Sequence, residues 1–122
     1  MSERSAEKTY GDREVQQRLE AELPQWQLDG NCIRRRYTTT NWKSTLMVVN
    51  AVGYLAEVAW HHPDIAASYN CVEVRLRNHA ADGITDKDFE LARKIEDVVD
   101  WQPAGEGGAL TGPPERLAII KR

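Results

Sequence analysis

The stretch from Thr39 to His62, TTNWKSTLMVVNAVGYLAEVAWHH, runs without a proline until Pro63 and constrains the fold more than any other segment. Its apolar centre, LMVVNAVGYLA (46–56), falls far short of the roughly 20 residues that cross a bilayer. It opens with Thr and Asn residues suited to capping a helix, and its apolar side chains spread widely around a helical circumference. The segment predicts a long helix buried on more than one side. Because the residue before a proline is pushed out of helical geometry, the helix should end at or just before His62.

The flanks supply matching partners. Val15, Leu19 and Leu23 recur four apart before Pro24, which predicts a short amphipathic helix. Two runs around 26–29 and 32–38 are joined by Asp29-Gly30-Asn31, the turn chemistry of an antiparallel hairpin. After the central helix, a short strand near 64–68 can pair with a run in which Val72, Val74 and Leu76 alternate with Glu73, Arg75 and Arg77. A Thr-x-x-Asp pattern, Thr85 and Asp88, then opens a helix that buries Phe89, Ala92, Ile95 and Val99. The order is α-β-β-α-β-β-α, an α+β domain.

A chain of 122 residues is long enough for one hydrophobic core. We divide it into a polar N-terminal segment (1–11), a domain (12–101) and a C-terminal extension (102–122). Within the extension, seven of the twelve residues 103–114 are Gly or Pro, which reads as a mobile linker; LAII (117–120) beyond it is apolar enough to dock on a surface. Sixteen Lys and Arg against nineteen Asp and Glu leave no general attraction to a phosphate backbone, so direct nucleic-acid binding is not expected. The basic run IRRRY (33–37) should be a solvated strand face, with Arg34 and Arg36 on one side and Arg35 on the other. Cys32 and Cys71 sit in no CxxC pattern, and the N-terminus has no apolar signal region, so reduced thiols in a cytoplasmic, non-membrane protein are expected.

The three histidines, His61, His62 and His79, carry the chemistry. On a helix Glu57 and His61 are four apart and can meet, while His62 points about 100° away. His79, just past a neighbouring strand, could return to the same rim. Imidazole populates both protonation states near neutral pH, as acid–base work on one substrate requires. Taken singly, each feature has an ordinary structural reading: a polar helix end, a loop histidine, a surface Glu–His pair, and Asp88 as a capping acid. Glu57, His61 and His79 could supply two imidazoles and a carboxylate to a metal, but their spacing does not match zincin motifs, and no metal is expected.

Taken together, Glu57, three residues, His61-His62-Pro63, five residues, Tyr69, nine residues, His79, eight residues and Asp88 form a chain of fixed gaps. With LPQW, CIRRRY, YLAEVAWHHPDI and GITDKDFELARKIE around them, they resemble the pterin-4a-carbinolamine dehydratase family, known in animals also as the dimerization cofactor of a homeodomain transcription factor. The resemblance covers about residues 12 to 101. It implies three helices on one face of a four-stranded antiparallel sheet, assembled as homodimers or homotetramers. The implied activity is dehydration of 4a-hydroxytetrahydrobiopterin, the product of aromatic amino acid hydroxylases, to quinonoid dihydrobiopterin in tetrahydrobiopterin recycling, with no cofactor. The implied site has His61 as acid, His79 as base, His62 holding the pterin edge, Glu57 orienting His61, Pro63 shaping the rim, and Asn78 and Asp88 on the substrate side. This chain departs from some members at Ile65 and Ala66, where a tryptophan can stand, and at Asn78, where threonine is common. Relatives of this fold also act without catalysis, as RuBisCO assembly factors or transcription-factor partners; the intact histidine set favours the enzyme.

Overall fold

Helix α1 (Asp12–Glu22) leads into strands β1 (Gln27–Asp29) and β2 (Cys32–Thr38), helix α2 (Trp42–Ala59), strands β3 (Asp64–Ser68) and β4 (Cys71–Leu76), and helix α3 (Asp86–Val99) in the computed structural model, which describes residues 7–122. The α-β-β-α-β-β-α order is the expected one. Each hydrophobic period yields its element, and Gly30, at φ 62°, supplies the positive φ that the two-residue hairpin turn between β1 and β2 requires.

The four strands form an antiparallel sheet in the order β1-β2-β4-β3. Ile33 lies opposite Leu76 and Tyr37 opposite Val72, so these side chains and Val74 share one face, and all five are fully buried. Val15 and Leu19 of α1, Val48, Val52 and Ala56 of α2, and Phe89, Ala92 and Ile95 of α3 join them in a single core. The helices therefore cover one face of the sheet. On the open face Arg34 stands directly opposite Arg75, a like-charge pairing that two shared carboxylates relieve: Asp29, 3.1 Å from Arg34 and 3.0 Å from Arg75, and Glu73, 3.6 Å and 2.9 Å from them.

Arg35 departs from the expected solvated face. It lies opposite Val74, on the helical side, and its Nε and Nη2 donate to Glu96 of α3 at 2.9 and 3.0 Å. Strand alternation alone sends it inward, and the acid that makes this tolerable stands 61 residues away.

The extension is packed on its own domain. β1 pairs only with Cys32–Arg34, which leaves the far end of β2 open on that side. The chain end fills it: Thr40 N–H donates to Ile119 O at 3.2 Å, Lys121 N–H donates to Thr38 O at 2.8 Å, and Ile120 is buried. Single 3-10 turns, Pro103–Glu106 and Glu115–Leu117, carry the chain there. Covering an open strand edge and burying one isoleucine each favour this arm. Deleting residues 103–122 should therefore destabilise the domain by about 2 kcal/mol, read as a lower melting temperature in calorimetry. An unchanged melting temperature would show that the arm contributes nothing to the fold.

Candidate active site

The end of α2 sets the directions of the first two histidines. Trp60 adopts a left-handed conformation, φ 55° and ψ 46°, its N–H bonds to Glu57 O at 3.2 Å, and His61 N–H reaches back to Ala56 O at 3.1 Å. These are the two bonds of a Schellman stop, here built on tryptophan rather than the usual glycine. A left-handed L-residue costs roughly 1–2 kcal/mol, which these two backbone bonds help to offset. The helix consequently ends at Ala59, and His61 and His62 lie beyond it.

This corrects the pairing expected from helical spacing. Glu57 does not meet His61, because His61 is no longer on the helix; the carboxylate instead lies 2.9 Å from His62 Nε2. That pair is exposed, with the Trp60 ring edge-on to His62 at 5.0 Å between centroids. Trp60 is 74% exposed and puts an aromatic surface beside the histidines. Ile65 and Ala66 on β3 bring none, Ile65 being half-buried against the core and Ala66 exposed. Pro63, half-buried, begins the turn into β3.

His61 turns inward to α3. Its Nε2 lies 2.6 Å from Asp88 Oδ1, and Asp88 is fully buried. The other carboxylate oxygen accepts the Thr85 N–H at 2.8 Å, within a capping box. Asp88 therefore caps α3, as its sequence position suggests, and at the same time fixes an imidazole 27 residues away. With Asp88 as carboxylate, His61 Nε2–H is the donor and Nδ1 is left for other partners. Asp88 is fully buried, and both its oxygens are engaged within the protein, one by His61 and one by the Thr85 N–H.

His79 lies exposed on the loop after β4, and Arg77 Nη1 is 3.4 Å from its Nδ1. A guanidinium has no lone pair, so Nδ1 is the acceptor in that contact. The preceding residue, Asn78, is buried, and both its amide hydrogens are engaged, to Glu7 Oε2 at 3.0 Å and Thr85 Oγ1 at 3.4 Å, while its Oδ1 accepts Ala81 N–H at 3.0 Å. A chain of contacts thus links the His79 loop through Asn78, Thr85 and Asp88 to His61. Among the described residues, no direct hydrogen bond joins His79 to His61 or His62, and no three of the His, Cys, Asp and Glu side chains are grouped to hold a metal ion.

A cavity of about 440 Å³ lies elsewhere, between α2, the end of α3 and the C-terminal arm, and no histidine lines it. Of the histidines, His62 and His79 are exposed, whereas His61 is half-buried. Sequence reasoning missed Glu7, Arg77, the role of Trp60 and the contact that Thr85 makes with Asn78. The only available signals were the capping pattern at Thr85 and the place of Arg77 two residues before His79.

Residues 8–98 match the family described as Pterin 4 alpha carbinolamine dehydratase. A protein of Aquifex aeolicus named "Putative pterin-4-alpha-carbinolamine dehydratase" is 43% identical over 88 residues, covering 72% of this chain and 88% of that one. One from Halobacterium salinarum with the same name is 40% identical over 98 residues, covering 80% and 98%. A solved structure, the transcriptional coactivator/pterin dehydratase of Brucella melitensis, aligns with a TM-score of 0.68 at 28% identity, over 75% of this chain and 99% of that one. The match spans α1 through most of α3 and takes in every histidine, together with Glu57 and Asp88, so the chain belongs to the pterin-4a-carbinolamine dehydratase family.

Proposed function

We propose that this chain dehydrates 4a-hydroxytetrahydrobiopterin to quinonoid dihydrobiopterin by histidine acid–base catalysis, in the recycling of tetrahydrobiopterin. The observation that carries this reading is the buried Asp88 carboxylate against His61 at 2.6 Å, next to His62 in the chain and linked through Thr85 and Asn78 to the loop of His79. In the reaction the C4a–O bond breaks and the hydroxyl leaves as water; N5 gives up its proton, and its electrons form the N5–C4a double bond. One group must deliver a proton to the departing oxygen while another accepts one from N5.

His61 suits the acid. Asp88 engages Nε2, so Nδ1 is the ring nitrogen left to deliver a proton to the leaving oxygen. His79 suits the base, because the lone pair of Nδ1 is held only by a long contact to Arg77, 3.4 Å, which a substrate N–H can replace. His62, oriented by Glu57, holds the pterin edge, and Trp60 offers an aromatic wall in place of the tryptophan absent from β3. No step requires a metal or organic cofactor.

The test is the rate of quinonoid dihydropterin formation from freshly generated 4a-hydroxytetrahydropterin, followed against spontaneous dehydration. We expect acceleration that a chelator leaves unchanged. A rate equal to the spontaneous one would remove the dehydratase reading, and activity lost to the chelator and restored by zinc would remove the metal-free mechanism. The exposed Trp42, Leu46, Tyr54 and Val58 on α2 support a homodimer or homotetramer, which light scattering on the same sample would confirm or, with a stable monomer, refute. The similar protein of Brucella melitensis is named a transcriptional coactivator as well as a pterin dehydratase, and this supports a second reading as a non-catalytic binding partner. That reading stands if the assay shows no acceleration.

A further inference from the structure

The segment before α1 lies against the loop that joins β4 to α3. Tyr10 N–H donates to Ile84 O at 3.0 Å, and the Tyr10 hydroxyl donates to Asp86 at 2.8 Å. Thr9 packs on Gly83, where a side-chain carbon would stand 3.0 Å from the Thr9 methyl, a contact tight enough that Thr9 would have to give way. One residue outside the family-matched region, Glu7 extends the contact into the site. Its Oε1 lies 2.7 Å from Lys87 Nζ, its Oε2 accepts from Asn78 at 3.0 Å, and its side chain is only 18% exposed. The Lys87 ammonium holds the Glu7 carboxyl below the usual carboxylate range against the opposing effect of desolvation, with Asn78 and the charge of His61 adding to the same direction.

Asn78 needs such a partner. It is 5% exposed, and among the described residues only Thr85, at the longer distance of 3.4 Å, takes an amide hydrogen besides Glu7. Without Glu7, a buried N–H would be left to find a new acceptor, and the backbone that carries His79 would have to move for it to do so.

We infer that Glu7 is a positioning residue of this active site: delivered by the N-terminal segment and held by Lys87, it locks Asn78 and thereby the position of His79. This rests on the dehydratase reading for its kinetic consequence, but the effect on His79 is independent of it. The acceptor oxygen is the group that matters, and Glu7→Gln retains one whereas Glu7→Ala does not.

The experiment compares the full-length chain with Glu7→Ala and Glu7→Gln. Misplacing a reacting group by a fraction of an ångström to an ångström costs kcat more than KM, so Glu7→Ala should lose about tenfold in kcat at nearly constant KM. Glu7→Gln should recover to within roughly threefold of wild type. Kinetics of Glu7→Ala within twofold of wild type, or equal impairment of both variants, would overturn the proposal. Should the wild-type chain itself fail to accelerate dehydration, the imidazole resonances still decide the matter. In Glu7→Ala the His79 signals should shift or broaden while those of His62 stay in place, and Glu7→Gln should restore them. Unmoved His79 signals in Glu7→Ala would overturn the inference whatever the reaction proves to be.

Discussion

His61→Ala and His79→Ala are each expected to lower turnover of 4a-hydroxytetrahydropterin by about 10² to 10⁴-fold, the usual contribution of a positioned proton donor or acceptor. The double variant should fall to the spontaneous rate. His62→Ala should behave differently, because the His62–Glu57 pair is exposed and makes no bond to the buried network; a higher KM with kcat nearly kept is the expected pattern. Of the two positions proposed as acid and base, His61 carries the larger structural risk, since its removal leaves Asp88 Oδ1 buried without its partner at 2.6 Å. Melting curves must therefore accompany the kinetics, and His61→Gln offers a variant that can still donate to Asp88 while lacking acid–base capacity. If His61→Gln keeps the fold and loses turnover, the loss is chemical. A double variant as active as wild type would show that catalysis resides elsewhere on the chain.

The element order was legible because every element announces its period locally: Val72, Val74 and Leu76 alternate, and Phe89, Ala92 and Ile95 follow a helical stripe. What failed to show was decided by contacts distant in sequence or by backbone conformations without a characteristic residue. Trp60 is the clearest case. A left-handed stop normally announces itself by glycine or asparagine, and a tryptophan gives no such notice, so helical spacing wrongly paired Glu57 with His61. Asp88 was legible as a cap, because Thr85 stands three residues before it, but not as the partner of His61. Its two oxygens serve both, and a local pattern reveals only the local one. Glu7 falls in a segment that reads as a polar lead because nothing in SAEKTYG has a period; its meaning comes only from Asn78 and Lys87, some seventy residues or more further on.

Arg35 and Glu96 follow the same logic, and the largest expected loss of stability lies with them. Glu96 accepts four hydrogen bonds: two from Arg35, one from the Trp26 indole at 2.9 Å and one from the Tyr37 hydroxyl at 2.9 Å. Both charged side chains are 13% exposed, so removing one partner leaves the other poorly hydrated. Breaking a mostly buried ion pair in this way costs about 3 kcal/mol, a sizeable part of the roughly 5–15 kcal/mol that holds a domain together. Glu96→Gln should therefore unfold at a markedly lower urea concentration. Exchanging Arg35 and Glu96 together for apolar residues should recover part of this and not all, because the Trp26 N–H and the Tyr37 hydroxyl would still lack their acceptor.

The pH dependence provides an independent check on the same pair. Burial works to raise the Glu96 carboxyl, but the Arg35 guanidinium outweighs it, with Trp26 and Tyr37 as further donors, and the folded value lies below the ordinary one. A depressed folded value means that the unfolded chain binds the proton first as acid is added. Its contribution is therefore complete above the unfolded carboxyl value of about 4.3 and is lost as the pH falls through the lower folded value. Wild-type stability should decline across that window, and Glu96→Gln, which has no proton to gain there, should decline less steeply. Parallel acid limbs for the two proteins, or a Glu96→Gln variant within about 0.5 kcal/mol of wild type at neutral pH, would mean that Arg35 finds water or another acceptor. The buried strand face of β2 would then depend on Ile33 and Tyr37 alone.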